Sequence, residues 1–263
     1  MELNKIYNED CYKALMAIKE PMFDAVIFSP PYNIGKDYAV YKDRLVGDEY
    51  YKAMLGLAID VHTALKDDGH VFINVGYTNL KPDLFTDVMF GFQNGAFTLQ
   101  NMILWVKSIH VGDRTHGHFK PINSNRFITP TNEFIFHFTK EGNTPIDRLA
   151  VGVPYSDKSN LKRFKHDKDL RCQGNTWFIP YETIQSKGEK GDHPAPYPVE
   201  LVTRCLKLTG KRKGLLCDPF MGSGSSGVGA KMMGWDYVGY ELNSAYVEYA
   251  EKRIKDSPLR IHL

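Results

Sequence analysis

Apolar residues along this 263-residue chain fall into two periods. Short unbroken runs bounded by turn residues recur at 24–28 (DAVIF), 70–75 (HVFINV), 102–106 (MILWV), 133–138 (EFIFHF), 214–217 (GLLC) and 236–240 (DYVGY), with a shorter one at 6–7. They are too short for globular helices and rich in β-branched and aromatic residues, which predicts strands buried on both faces of a parallel sheet. Between them the spacing changes to that of a helix. Leu15, Met16 and Ile18 mark one helix within 10–19. Tyr51, Met54, Leu55, Ala58, Val61 and Leu65 mark another over 48–66, which Asp67, Asp68 and Gly69 end. Residues 82–92 read as a third, with Pro82 acceptable in its first turn. Val199, Val202 and Leu206 mark a fourth, the stretch up to Gly234 a fifth, and Val247, Ala250 and Ile254 the last. Seven strands alternating with helices predict an α/β, doubly wound, mostly parallel seven-stranded sheet.

The alternation breaks twice. Residues 107–132 form a long polar stretch with Gly, His and Pro throughout, and loops of that length inside compact domains are usually functional or disordered. Residues 139–191 carry Lys158, Lys162, Arg163, Lys165, His166, Lys168 and Arg171, with Phe164 among them and Trp177, Phe178 and Tyr181 following. Two readings stand for this segment. It is a solvated surface insertion, its charge diluted by Asp157, Asp167 and Asp169; or it is a basic face with aromatics that meets phosphates and bases. The division that follows is a core half over 1–138, the insertion over 139–191 and a second core half over 192–263.

Composition narrows the class. With 43% hydrophobic and 24% charged residues the chain is globular, and a net charge of +2 confines any polyanion footprint to a local patch. Cys11, Cys172, Cys205 and Cys217 have neither paired-cysteine spacing nor histidines at zinc-finger distances, so no disulfide framework or structural zinc is indicated and a reducing compartment is the default. The start of the chain lacks the pattern of a signal peptide, and no apolar run is long enough to span a bilayer. A soluble cytoplasmic protein is expected.

The chemistry sits at strand ends. After 24–28 come Ser29, Pro30, Pro31 and Tyr32. Proline fixes φ, lacks an N–H and forces the preceding residue into extended geometry, so this turn is stiff and lies where ligands bind in open α/β sheets. It offers a hydroxyl, fixed carbonyls and an aromatic face. That set suits a planar group bearing an exocyclic amine. The strand at 214–217 runs directly into Asp218, Pro219, Phe220, Met221, Gly222, Ser223 and Gly224. Such a glycine-rich strand-to-helix loop lets backbone N–H groups approach a ligand closely. The third glycine of the dinucleotide fingerprint is missing, which argues against a nicotinamide dehydrogenase. Glu241 ends the next strand, 17 residues after Gly224, where an acid can accept both hydroxyls of a ribose. Asp10 reads on its own as a helix N-cap.

Together these motifs resemble the S-adenosylmethionine-dependent DNA amino-methyltransferases, in the circularly permuted (beta) group where the S/D/N-P-P-Y/F/W motif precedes F-x-G-x-G. The resemblance covers nearly the whole chain and implies a Rossmann-like fold. By it, Ser29, Pro30, Pro31 and Tyr32 are the catalytic motif. The cofactor would be S-adenosylmethionine, with Asp218, Pro219, Phe220, Gly222, Ser223 and Gly224 as its loop and Glu241 as its ribose acid. Asp10 would meet the adenine, and His193, in the segment 193–198, would help close over the methionine end. The resemblance makes 139–191 the target-recognition region, with Lys158, Lys162, Arg163, Lys165, Lys168 and Arg171 as DNA contacts.

An exocyclic base amine is a poor nucleophile, so the expected mechanism is positioning: Ser29 Oγ and the Pro30 carbonyl accept the amine hydrogens, and Tyr32 stacks on a base flipped out of the duplex. In the resembled family Ser at the first motif position goes mostly with N4-cytosine and Asp with N6-adenine. The expectation is therefore an N4-cytosine DNA methyltransferase of a restriction-modification system. N6-adenine methylation is the alternative, with RNA base methylation or a catalytically inactive DNA-binding protein behind it. Double-stranded DNA is the expected partner, and the resemblance allows a homodimer and a cognate restriction endonuclease acting on the same site.

Overall fold

The structure, a computed structural model, describes residues 1–33, 45, 47–78, 81–111, 113–117, 124–164, 168–180 and 197–259. Its strands are β1 (Lys5–Tyr7), β2 (Phe23–Phe28), β3 (Leu65–Val75), β4 (Thr98–Val111), β5 (Arg114–Gly117), β6 (Asn132–Thr139), β7 (Thr176–Pro180), β8 (Leu215–Asp218) and β9 (Asp236–Tyr240). The helices are α1 (Cys11–Met16), α2 (Glu49–Ala64), α3 (Leu84–Asn94), α4 (Ser159–Phe164), α5 (Val199–Leu208), α6 (Ser225–Met232) and α7 (Ser244–Asp256).

One sheet holds every described strand, in the order β1-β9-β8-β2-β3-β6-β4-β5, with β7 alongside β4. The first five of that order are mutually parallel; β6 runs antiparallel between β3 and β4. The parallel centre places the carboxyl ends of β1, β9, β8, β2 and β3 on one edge, and that edge carries the predicted motifs. Every residue of β2 is buried. Val26 and Phe28 pack with α1, α2 and α3 on one face, while Ala25 and Ile27 pack with α5, α6 and α7 on the other. Two-sided burial explains why the run shows no polar alternation.

All seven expected strands are present, but among the described residues the sheet has nine. The two additions, β5 and β7, lie inside the two segments that break the α/β alternation of the sequence. β5 is polar and gives no hydrophobic signal. β7 alternates Trp177 and Ile179 inward with Thr176 and Phe178 outward, and it pairs in parallel with residues 104–108 of β4. Trp177, expected among the aromatics near bases, is instead a core side chain, 1% exposed; Phe178 is 57% exposed, and Tyr181 lies outside the described residues. β3 also starts at Leu65, five residues before the apolar run. Leu65 pairs with Phe23, and a bulge then restores register at Ala25 and His70. Asp24 fixes this end of the sheet by taking Lys66 Nζ at 2.9 Å, Lys211 Nζ at 3.0 Å and the Leu215 amide at 2.9 Å.

In the middle of the sheet, His70 and His137 lie on neighbouring strands with Phe72 stacked on His137 at 4.4 Å. Asn101 Nδ2 donates to His137 Nδ1 over 2.9 Å, which leaves His137 Nε2 as the donor towards His70. Of the cysteines, Cys11, Cys205 and Cys217 are buried and Cys172 is exposed. Among the described residues no helix is long and apolar enough to cross a membrane.

Candidate active site

The turn after β2 is anchored from two sides. Pro30 is buried, while Ser29, Pro31 and Tyr32 are half-buried. Tyr50 of α2 donates its hydroxyl to the Pro31 carbonyl over 2.8 Å. Asn33, at φ 51°, takes the left-handed conformation that asparagine tolerates, and its side chain donates to the Leu45 carbonyl over 2.9 Å while accepting the Leu45 amide. These contacts hold the prolines where the chain must leave the sheet.

Behind the turn lies a polar cluster that sequence reading did not find. Ser29 Oγ donates to the Tyr32 hydroxyl oxygen over 3.2 Å, and Tyr32 donates to Glu133 Oε2 over 3.0 Å. Asn74 Nδ2 reaches both Glu133 Oε2, at 2.6 Å, and the Tyr32 oxygen, at 3.3 Å. Lys107 pairs with Glu133 Oε1. Glu133 and Asn74 are buried at the ends of β6 and β3. Burial of its hydroxyl, reinforced by the Glu133 charge, pushes the Tyr32 phenol well above its ordinary pKa, so it remains a donor. Gly76 admits this arrangement: a Cβ there would stand 3.0 Å from Tyr32 Cε2 and 3.1 Å from Glu133 Oε1. Polar residues at the ends of two apolar runs, Asn74 and Glu133, were the available signal.

The glycine loop stands on the adjacent strands. Met221 N donates to the Tyr240 carbonyl over 2.9 Å, tying the loop to β9. Gly224, at φ 81°, starts α6 in the left-handed region, and a Cβ there would come within 2.9 Å of Ala250 Cβ, so glycine is required on both counts. Glu241 Oε2 accepts the Gly222 amide and Oε1 the Asn243 amide, each at 2.9 Å; burial pushes its pKa up. Asp10 caps α1, accepting the Tyr12 amide over 2.9 Å. Phe220 is half-buried, with ring centroids 6.3 Å from Tyr12 and 5.7 Å from Phe28.

Other predicted loop residues are structural anchors. Asp218 is fully buried and accepts the Tyr197 hydroxyl at 3.0 Å, the Phe220 amide at 2.9 Å and the Ser226 hydroxyl; burial raises its pKa to about 6. Pro219 is buried beside it. Ser223 offers its carbonyl and hydroxyl to Arg253 at 3.0 and 3.1 Å. His193 lies outside the described residues. At one sheet edge, then, the structure gathers the Pro-Pro turn, the glycine loop, two carboxylates and a half-open phenylalanine. The chemistry of that set is compatible with a nucleoside bearing vicinal hydroxyls: the Glu241 carboxylate can accept from hydroxyls, and Asp10 with the Phe220 ring suits a base.

The basic residues lie elsewhere in the chain, between β6 and β7. Val153 and Arg171 pair through their backbones, closing the segment on itself. Lys158 is held by Asp169, and Arg171 donates to the Cys172 carbonyl over 3.3 Å. Lys162, Arg163 and Lys168 are exposed; Lys165 lies outside the described residues.

Fold and site define a doubly wound α/β protein whose carboxyl-end edge carries a glycine-rich loop beside a rigid Pro-Pro turn. The chain belongs to the DNA methylase family, whose model matches residues 23–252. It is similar to the type II methyltransferase M.BglII of Bacillus subtilis, 29% identical over 97% of this chain and 70% of the relative. Its fold is that of the PvuII cytosine-N4-specific DNA methyltransferase, with a TM-score of 0.70 at 18% identity over 95% of this chain and 89% of the other. A complex of M1.HpyAVI with SAM gives 0.61 at 19% identity, over 95% and 98%.

Proposed function

We propose that this protein transfers a methyl group from S-adenosylmethionine to the exocyclic N4 amine of a cytosine flipped out of double-stranded DNA. The observation that carries the reading is Ser29, whose hydroxyl sits in a proline-locked turn at the carboxyl edge of the sheet with its own proton directed at Tyr32. A neutral oxygen so held accepts an N–H.

S-adenosylmethionine would supply an activated methyl group, its S–CH3 bond breaking as the N–C bond forms and the electron pair staying on sulfur in a neutral thioether. Glu241 would take its ribose hydroxyls, Asp10 and Phe220 its adenine, and the backbone around Gly222 and Gly224 its approach, with His193 closing over the methionine end. The rest of the work falls to the chain. An amine conjugated to a pyrimidine ring has its lone pair delocalised; Ser29 Oγ and the Pro30 carbonyl, by accepting its two hydrogens, favour a tetrahedral nitrogen with the lone pair free and aimed. Once the N–C bond has formed, the nitrogen's extra proton leaves by way of the site to water. No covalent enzyme intermediate is required. Cys217, buried in β8, is a core residue. Extrusion of the base costs a few kcal/mol, offset by stacking on Tyr32 and pocket contacts. Residues 139–191 would read the DNA, with Lys158, Lys162, Arg163, Lys165, Lys168 and Arg171 on phosphates.

The experiment is incubation with S-adenosylmethionine and unmethylated bacterial DNA, digestion to nucleosides and mass spectrometry. N4-methylcytosine is the expected product. N6-methyladenine would overturn the base assignment, and an unmodified digest the activity.

A further inference from the structure

The donors and acceptors behind the Pro-Pro turn form a directed chain. A carboxylate accepts and never donates, and Glu133 is such a group, with Lys107 on Oε1 and the Tyr32 hydroxyl on Oε2. The phenol's single proton is therefore committed to Glu133. Asn74 is oriented by the same carboxylate, since its amide nitrogen rather than its oxygen must face Oε2, and that nitrogen also reaches the Tyr32 oxygen. The Tyr32 oxygen is left solely as an acceptor towards Ser29, at 3.2 Å. In donating to that oxygen Ser29 points its proton back into the protein, and the lone pairs of its own oxygen face a substrate.

We propose that Glu133, 104 residues beyond Ser29 in the chain and on the antiparallel strand, is the positioning residue that sets the polarity of Ser29, making it an acceptor for an amine and a poor partner for a keto oxygen. A serine without this chain behind it rotates freely and presents a donor or an acceptor equally well. With the chain in place, a base that offers N–H at the reacting position is bound and one that offers C=O is not. This inference rests on the amine-methylation reading above and names the residue that enforces it.

The test is a mutant cycle on methyl transfer from radiolabelled S-adenosylmethionine to unmethylated bacterial genomic DNA at single turnover, alongside calorimetric binding of the cofactor. Tyr32→Phe keeps Glu133, Asn74 and Lys107 together and so guards against simple unfolding; Glu133→Gln is the direct variant. Each should slow transfer about tenfold or more while cofactor affinity stays within about twofold, because a pre-oriented acceptor is lost and nothing else. Placed in a Ser29→Ala background, Glu133→Gln should change the rate by less than about twofold, since residues acting as one unit are not additive. A loss that multiplies fully with Ser29→Ala, or no loss from either single variant, would overturn the role of Glu133 and leave the methyltransferase reading standing. A wild-type protein that labels no DNA would overturn both.

Discussion

His70 Nδ1 lies 3.0 Å from His137 Nε2, two imidazoles sealed in the middle of the sheet, 1% and 0% exposed. Burial drives both below the usual histidine range, His70 to about 4 and His137 to about 3. A group whose folded pKa is depressed is neutral in the native state and gains its proton on unfolding, so stability is full above about 6.5 and falls as pH drops from there towards 4 and 3. At pH 5 each unfolded histidine gains about 2 kcal/mol. Asp218, raised to about 6, acts in the other direction, adding about 1 kcal/mol to the fold at pH 5 relative to neutrality. Thermal melts from pH 8 to 5 should show a net loss in the acid limb, and His137→Gln should remove roughly half of the histidine contribution. A flat profile in the wild type would contradict neutral burial of the pair.

Ser29→Ala should lower the methylation rate by about 10²-fold, the scale of losing one pre-oriented hydrogen-bond partner at a reacting centre, with cofactor affinity nearly unchanged. Rapid-quench kinetics paired with calorimetry separates the two. Equal losses in both would show that Ser29 serves the loop rather than the amine.

Glu241 carries two tasks in one carboxylate: it takes the Gly222 and Asn243 amides and, by the reading above, a ribose. Glu241→Ala should weaken cofactor binding by about 10- to 100-fold, the worth of hydrogen bonds to a charged group. Glu241→Gln, which keeps one acceptor, should fall between it and the wild type. Isothermal calorimetry reads both.

For the basic segment the ion pairs make a distinction among lysines. Lys162→Ala and Lys168→Ala should each lower DNA affinity and reduce the slope of log K against log salt by about 1, as lost phosphate contacts do. Lys158 is already engaged by Asp169, so Lys158→Ala should change the slope less. Fluorescence anisotropy on a long duplex across a salt series measures this, and unchanged slopes for Lys162 and Lys168 would remove the segment from the backbone of the DNA.

Where tertiary structure agrees with local pattern, the sequence was readable. The runs at 24–28 and 236–240 are buried strands because nothing but burial suits them, and Gly224 is a glycine because a left-handed turn abuts Ala250. What escaped depends on distant partners. Trp177 looked like a base contact beside lysines because its burial against the core is decided by pairing with β4. Leu65 looked like a helix end because its strand partner, Phe23, lies across a bulge. Glu133 looked like the polar start of a strand; its meaning comes from Ser29, Tyr32, Asn74 and Lys107, which no spacing rule brings together.

The single exposed thiol has a practical consequence. Burial makes Cys11, Cys205 and Cys217 reluctant to ionise, so an electrophilic dye at neutral pH finds Cys172 alone. The unaltered chain thus carries a native handle for one fluorophore, inside the segment proposed to read DNA, and the arrival of a duplex can be timed by stopped flow without engineering a cysteine.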